Sequence, residues 1–187
     1  MTRKRVLFRV IVTLCALLLL ALLVNLAYTA VRRAIYPEKY TAIVTKYAGE
    51  TGLPTSLVYA VIQCESGFNP DAVSSVGAQG LMQLTPDTFN WIKSKSGAGT
   101  DDADSEFNPD INVKYGTWLL ALNLKDFGSE EVALAAYHAG RGRVGEWLRD
   151  PQFSDDGKTL KEIPFADTRA YVAKVQKTQK EYEALYK

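Results

Sequence analysis

The sequence predicts a mainly α fold, in which one N-terminal transmembrane helix precedes a helical domain over residues 38–187. Two observations predict it. Residues 10–31 form an uncharged, leucine-rich run, and the rest of the chain repeats apolar residues at helical spacing with almost no two-residue alternation. The chain has 187 residues, of which 47% are hydrophobic, which suffices for one folded core and an appendage.

The apolar run over residues 10–31 predicts a single-pass membrane anchor. About 20 apolar residues cross a bilayer as a helix, because the backbone polar groups are then bonded internally. The run exceeds the roughly 7–15 residues of a signal-peptide core and lacks a clear cleavage site, which favours an anchor over the alternative, a cleaved signal peptide. Four basic residues precede the run and two follow it. We therefore expect a basic cytoplasmic segment (1–9), a linker (32–37) and an extracytoplasmic domain at the cell membrane.

Charge and cysteine content exclude several function classes. Residues 1–33 carry six basic and no acidic residues, whereas the rest has 16 basic and 21 acidic residues, a net charge of −5. This balance argues against nucleic-acid binding. Cys15 and Cys64 are not expected to pair, and with His138 as the one histidine a zinc site is not expected. The acidic run 101–106 does not fit a calcium-binding loop and is predicted to be solvated.

The first two helices of the domain follow from apolar spacing. One helix should end by Gly52, and Thr55 or Ser56 is the candidate N-cap of a second that reaches Glu65. The apolar face of the first helix is formed by Tyr40, Ile43, Val44 and Tyr47.

Capping signals predict the next helices. Thr85-Pro86 and Asn108-Pro109 each pair an N-cap with proline at the first helical position. Gly128 should end the second of these helices, and Ser129 should cap another that runs to about Tyr137.

The remaining chain is predicted as a short helix around residues 144–148, a loop over 150–163 and a last helix from about Phe165. Segments 66–80 and 94–108 are rich in glycine and small polar residues. Long loops in a compact domain are often functional, and the first directly follows Glu65.

Glu65 is the candidate catalytic acid. It ends the apolar segment 57–64, and apolar surroundings disfavour a carboxylate and raise its pKa. Cleavage of a glycosidic bond needs a protonated acid near neutral pH. The alternative from local sequence alone is a solvated carboxylate at a helix end.

Three further groups could contact a sugar. Gln83 offers a donor and an acceptor within an apolar run, although a solvated glutamine beside core residues has the same pattern. Tyr137 and His138 end a small-residue helix, where a hydrogen-bonded structural histidine is the alternative, and Tyr171 by itself fits a core tyrosine. Core packing is expected for at least two of the tryptophans, Trp91, Trp118 and Trp147.

Four motifs occur in one order: Glu65-Ser66, Gly-Leu-Met-Gln at 80–83, Ala-Tyr-x-Ala-Gly at 136–140 and Thr-Arg-x-Tyr-Val at 168–172. Together they resemble the soluble lytic transglycosylase family, which has a lysozyme-like (goose-type-lysozyme-like) helical fold. The resemblance covers residues 38–187. The anchored layout looks like the small transglycosylases of Gram-positive bacteria.

The resemblance implies roles for the matched residues. Glu65 would act as general acid and then general base, and Ser66 would orient Glu65 or the substrate. Gly80, Met82 and Gln83 would line the groove, with Gln83 on the sugar.

Tyr137 and Tyr171 would hold Glu65 or contact the acetamido group. His138 stands where the family usually has asparagine, so it is counted as substrate-binding with its further role open. The family implies no metal and no cofactor.

The implied reaction cleaves the β-1,4 bond between N-acetylmuramic acid and N-acetylglucosamine and forms 1,6-anhydro ends. A lysozyme-type hydrolase is the alternative if Asp71 or Asp87 supplies a second acid. A non-catalytic peptidoglycan-binding or scaffold protein is another. The expected partners are peptidoglycan strands and the membrane, with other cell-wall or secretion-machinery proteins as candidates.

Overall fold

The computed structural model describes residues 3–96 and 106–186. Within these ranges the chain forms eight α-helices and no β-strand, which confirms the mainly α prediction. The chain divides into two compact units, residues 1–37 with 185–187, and residues 38–184.

The first unit is built on helix α1, Arg3–Ile35. Among the described residues, it is the one helix long and apolar enough to cross a membrane, and none of its residues is buried. The helix continues to Ile35, so most of the predicted linker 32–37 is helical. In the same unit, Tyr186 donates a hydrogen bond to the carbonyl oxygen of Tyr36 at 2.8 Å.

The described part of the second unit consists of seven α-helices joined by loops. Its helices are α2 Thr41–Thr51, α3 Thr55–Glu65, α4 Pro86–Ser96, α5 Pro109–Phe127, α6 Glu130–Ala139, α7 Arg141–Arg149 and α8 Ala166–Leu185, of which the last residue is grouped with the first unit. The loop between α3 and α4 contains two isolated β-bridges, Val73 with Gln79 and Gln79 with Leu84.

Most of the predicted helix ends are confirmed. The side chains of Asn108, Ser129 and Thr85 accept hydrogen bonds from backbone N–H groups in the first turns of α5, α6 and α4. Gly128 ends α5 with φ 69°, a conformation that glycine adopts without strain.

The predicted cap of α3 is wrong. Thr55 and Ser56 already lie in the first turn, because the carbonyl of Pro54 accepts the first helical hydrogen bond, from Val58. Pro54 therefore occupies the N-cap position and supplies no side-chain hydrogen bond.

Helix α5 is the centre of the second unit and packs against α2, α4 and α6. Its apolar residues join α4 and the end of the α3–α4 loop in one buried cluster: Leu84, Phe89, Ile92, Ile111, Tyr115 and Leu119. The cluster fixes the C-terminal end of that loop against a rigid helix.

Gly116 of α5 lets the α3–α4 loop approach closely. The side chain of Met82 is fully buried over it, and a Cβ atom added at Gly116 would lie 2.8 Å from the Cβ atom of Met82. Real Cβ atoms do not approach so closely, so the glycine is required for this packing.

Replacing Gly116 by alanine should destabilise the fold. The added methyl group must displace Met82, and overpacking of this kind costs about 1–3 kcal/mol. Urea unfolding of the full chain in detergent micelles, followed by near-ultraviolet circular dichroism, measures the loss. Gly49→Ala is the matched control, since Gly49 is exposed in α2 with no atom within 4 Å of an added Cβ. Equal stability of both variants would contradict the packing argument.

Candidate active site

Glu65 is the last residue of α3, and Tyr171 of α8 holds its carboxyl group. The hydroxyl of Tyr171 donates a hydrogen bond of 2.6 Å to Oε1 of Glu65. Six of the preceding helix residues, Leu57–Ile62, are buried. The structure therefore brings together the first and the last of the four sequence motifs, 106 residues apart.

Burial raises the pKa of Glu65 to about 7. The hydrogen bond from Tyr171 and the positive charge of Lys174 both oppose this rise. Near neutral pH the carboxyl group is thus present in both its protonated and its ionised form. One group with this pKa can act as an acid and as a base within one reaction.

The two tyrosines beside Glu65 remain protonated at all physiological pH values. Burial raises the pKa of Tyr137 and of Tyr171 well above 10, and the charge of Glu65 acts in the same direction. Tyr137 donates its hydroxyl proton to the carbonyl oxygen of Met82 at 2.7 Å. The hydroxyl of Tyr137 therefore binds the α3–α4 loop, whereas the hydroxyl of Tyr171 binds the carboxyl group of Glu65.

His138 packs on Tyr171 as a flat stack. The ring centroids lie 4.5 Å apart at an interplanar angle of 26°, and Nδ1 lies 3.1 Å from the hydroxyl oxygen of the buried Thr168. Partial burial lowers the pKa of His138 from its usual 6.5, against the charge of Asp167, so the neutral ring predominates at pH 7. Thr168 is a partner that sequence reasoning did not assign, although it begins the last motif.

Gln83 contributes to the wall of the site from a left-handed backbone conformation with φ 50°. Its amide nitrogen donates to the carbonyl oxygens of Ala72 at 3.0 Å and Gly80 at 2.9 Å. Both amide protons are thereby used within the loop, and the amide oxygen is the group that remains for a ligand.

Three of the predicted site residues support the site from behind. Ser66 donates its hydroxyl to the carbonyl oxygen of Leu81 at 2.8 Å and thereby binds the α3–α4 loop. Gly80, with φ 76°, packs against Asn112, and the side chain of Met82 is fully buried. Gly80 and Met82 were expected to line the groove. Neither of them lines the cavity described next, because both are packed against α5.

A cavity of about 390 Å³ contains Glu65 and is called here the Glu65 cavity. It brings four of the predicted residues together: Glu65, Gln83, Tyr137 and His138. The other lining groups come mainly from the α3–α4 loop, the start of α4 and the turn after α6: Ser74, Val76, Ala78, Leu84, Thr85, Thr88, Leu119, Ala139 and Gly140. Among the described residues that line it, Glu65 is the one carboxylate.

A second cavity of about 410 Å³, the Trp91 cavity, adjoins the first. The two share Tyr137, Thr88, Leu119 and Gly140 as lining residues, and the two cavities together are called the groove. The guanidinium of Arg141 lies 5.4 Å from the ring centre of Trp91, and Asp87 lies at the same rim.

The other residues considered from the sequence take separate places. Trp147 is buried and Trp118 packs against the core cluster, as expected, whereas Trp91 lines the groove. Asp71 is exposed. Residues 101–105 of the acidic run lie outside the described ranges. In residues 3–96 and 106–186, no group of three or more His, Cys, Asp or Glu side chains could hold a metal ion.

Asn112 is a supporting residue that sequence reasoning missed. It is fully buried in α5, accepts a hydrogen bond from the backbone N–H of Met82 at 2.6 Å, and donates to the carbonyls of Gln79 and Glu106 at 3.0 and 2.7 Å. The side-chain amide of Asn112 thus provides hydrogen-bond partners for three backbone groups, as neighbouring strands would do in a β-sheet. Its signal in the sequence is an amide on the face of α5 that otherwise carries core residues.

Comparison with known proteins identifies the relatives of this chain. The family model "Transglycosylase SLT domain" matches residues 42–160. The soluble lytic murein transglycosylase of Escherichia coli K12 is 34% identical over 155 residues, which cover 81% of this chain and 23% of the relative. The membrane-bound lytic murein transglycosylase C of Edwardsiella ictaluri is 31% identical over 174 residues, covering 79% and 47%.

A solved structure agrees with these relatives. The X-ray structure of lytic transglycosylase Slt from Pseudomonas aeruginosa, an inactive mutant with glutamine in place of a glutamate, matches with TM-score 0.69 and 34% identity. The match covers 80% of this chain and 25% of that chain. The predicted lysozyme-like transglycosylase fold is confirmed, and the chain spans a quarter to a half of the length of these relatives.

The buried carboxyl group of Glu65 should make stability depend on pH. Its pKa is 4.5 in an unfolded chain and about 7 in the fold, so the folded state holds the extra proton and unfolding becomes easier as pH rises through this window. In Glu65→Gln this dependence should vanish, with a gain of about 2–3 kcal/mol over the wild type at pH 8. Urea unfolding between pH 4 and pH 8 measures both chains. Parallel stability curves would show that Glu65 is not buried as described.

Proposed function

The chain belongs to the transglycosylase SLT domain family, and on this premise we propose that residues 38–187 cleave the glycan strands of peptidoglycan as a lytic transglycosylase. The bond cleaved is the β-1,4 bond between N-acetylmuramic acid and N-acetylglucosamine, and the product carries a 1,6-anhydro end. One observation carries the proposal: a single carboxyl group with a pKa of about 7, held by Tyr171 inside a groove.

The first step is protonation of the leaving oxygen. Glu65 transfers its proton to the oxygen that bridges the two sugars, and the bond from that oxygen to C1 of N-acetylmuramic acid breaks. The acetamido oxygen of the same sugar stabilises the positive charge at C1. This substrate-assisted route needs one protein carboxylate, which fits the Glu65 cavity.

The second step returns Glu65 to its starting state. As a carboxylate, Glu65 takes the proton of the C6 hydroxyl. At the same time the C6 oxygen forms its bond to C1, and the acetamido oxygen withdraws from C1. No water is consumed and no cofactor takes part. The hydrogen bond from Tyr171 stabilises the carboxylate between the two steps.

The groove residues would bind the sugars. The amide oxygen of Gln83 accepts from a hydroxyl or acetamido N–H group, since its nitrogen is already bonded to Ala72 and Gly80. The ring nitrogen of His138 that faces away from Thr168 is available for a second hydrogen bond. Trp91 offers an apolar face on which a further sugar can stack.

The relatives support this assignment. The two sequence relatives are named lytic murein transglycosylases, and the lytic transglycosylase Slt of Pseudomonas aeruginosa is inactive with glutamine in place of a glutamate. An essential glutamate in a protein of the same fold supports Glu65 in that role here.

A lysozyme-type hydrolase is the second candidate, and the position of Asp87 favours it. Asp87 lines the Trp91 cavity, which shares four lining residues with the Glu65 cavity. In an inverting hydrolase a second carboxylate activates water from a distance. The products distinguish the two reactions, and a non-catalytic binding or scaffold protein would release none.

Helix α1 supports an anchor in the cell membrane over residues 10–31, with the catalytic domain on the outer side. One relative is named as membrane-bound, and the more numerous basic residues before the span favour a cytoplasmic N-terminus. The Gram-positive type and the association with other cell-wall or secretion-machinery proteins stay predictions.

Digestion of purified peptidoglycan by the full chain in detergent micelles tests the reaction. We expect fragments that are one water lighter than hydrolysis products and that resist borohydride reduction, as 1,6-anhydro ends do. Glu65→Gln should lower the rate by about a thousand-fold or more, since it keeps the shape and removes the acid. Mass spectrometry of the released fragments measures both effects.

Asp87→Asn is the matched control for this test. A transglycosylase should retain its rate, because Asp87 takes no part in either step. Reducible ends, together with a large loss in Asp87→Asn, would establish the hydrolase instead. If Glu65→Gln loses its activity because it unfolds at the assay temperature, the loss no longer supports a catalytic role for Glu65.

Replacing His138 by asparagine, the residue usual in the family, should retain activity. Asparagine keeps a donor and an acceptor near Thr168, so we expect a loss of no more than about fivefold, the value of one neutral hydrogen bond. Initial rates of peptidoglycan solubilisation at pH 7 measure it. An inactive but folded His138→Asn variant would show that the imidazole itself takes part in the reaction.

A further inference from the structure

Two residues of helix α8, Tyr171 and Lys174, contact the last two residues of α3. Tyr171 donates to the carboxyl group of Glu65, and one turn later the ammonium group of Lys174 lies 3.4 Å from the backbone carbonyl oxygen of Cys64. Residues three apart lie on the same face of a helix, so both contacts follow from one orientation of α8. Lys174 was not identified from the sequence.

The carbonyl of Cys64 belongs to the last turn of α3, where carbonyl groups lack a partner within the helix. These groups carry the negative end of the helix dipole. Glu65 stands at this same end, so the helix disfavours the carboxylate. A cation placed on the last turn counteracts that field.

We propose that Lys174 is a positioning residue that binds the end of α3 and stabilises the carboxylate form of Glu65, which the second step of the reaction requires. This role rests on the proposed function of Glu65. The ammonium group acts through the helix end and through space and does not contact the reacting sugar.

Within residues 3–96 and 106–186, the titratable groups beside Glu65 other than Lys174 are wholly or mainly neutral near pH 7. From α3, Cys64 is a thiol whose pKa burial raises. From α6, Tyr137 has a pKa well above 10, and burial lowers the pKa of His138. From α8, Tyr171 is likewise a neutral phenol. Among the described groups that act on Glu65, Lys174 thus supplies the positive charge, and the pKa of Glu65 is lower for its presence.

An NMR titration of the full chain in detergent micelles tests this role without substrate. Glutamate labelled with carbon-13 at the side-chain carboxyl reports the midpoint of Glu65, whose signal is assigned by its loss in Glu65→Gln. In Lys174→Met the midpoint should rise by about half a pH unit, the size expected for a partly screened charge pair. Lys174→Arg should restore it. The falling limb of the pH–rate profile on peptidoglycan should move by the same amount.

Lys177→Met is the matched control, because Lys177 is an exposed lysine one turn further along α8. Its midpoint should equal that of the wild type. An unchanged midpoint in both Lys174→Met and Lys174→Gln, or an equal shift in Lys177→Met, would overturn the proposal. A chain that cleaves no peptidoglycan would overturn the proposed function, while the titration would still decide whether Lys174 acts on Glu65.

Discussion

The hydrogen bond between Tyr171 and Glu65 joins two helices that are far apart in the chain, and the groove is arranged around it. A carboxyl group at the end of an apolar helix is disfavoured as an anion, first by the loss of water and then by the helix dipole. The phenol of Tyr171 counteracts both effects through one short bond. The ring of His138 stacks on that phenol, so α3, α6 and α8 all contribute to the surroundings of Glu65.

The α3–α4 loop forms part of the wall of the groove and needs support from other elements. The α3–α4 loop has only isolated β-bridges, so its backbone groups need partners from elsewhere. Asn112 and Tyr137 supply them, and both bond to the backbone of Met82. The buried side chain of Met82 then ties the loop to Gly116. A loop held at so many points can place Gln83 in a left-handed conformation that an unsupported chain would avoid.

Capping residues and apolar spacing predicted the helices. The residues that were missed make contacts with distant parts of the chain. Asn108 and Gly128 act within one turn, so their effect is visible in a short stretch of sequence. Glu65 was found because apolar residues precede it and a motif surrounds it. Asn112 bonds residues about 30 positions away, and Lys174 reaches a carbonyl 110 positions away. Such partners become visible only when the helices are packed, and the same packing draws Gly80 and Met82 out of the groove.

The neutrality of the surrounding groups bears on how one residue could serve both proposed steps. Tyr137 and Tyr171 carry no charge near pH 7 and His138 is mainly neutral, so the main charge that changes in the Glu65 cavity is that of Glu65. A sugar that fills the cavity displaces water, which raises the pKa further and favours the acid needed first. Departure of the leaving sugar readmits water and favours the carboxylate needed second. On this mechanism the substrate itself shifts the balance, and the protein only has to hold the resting pKa near neutrality.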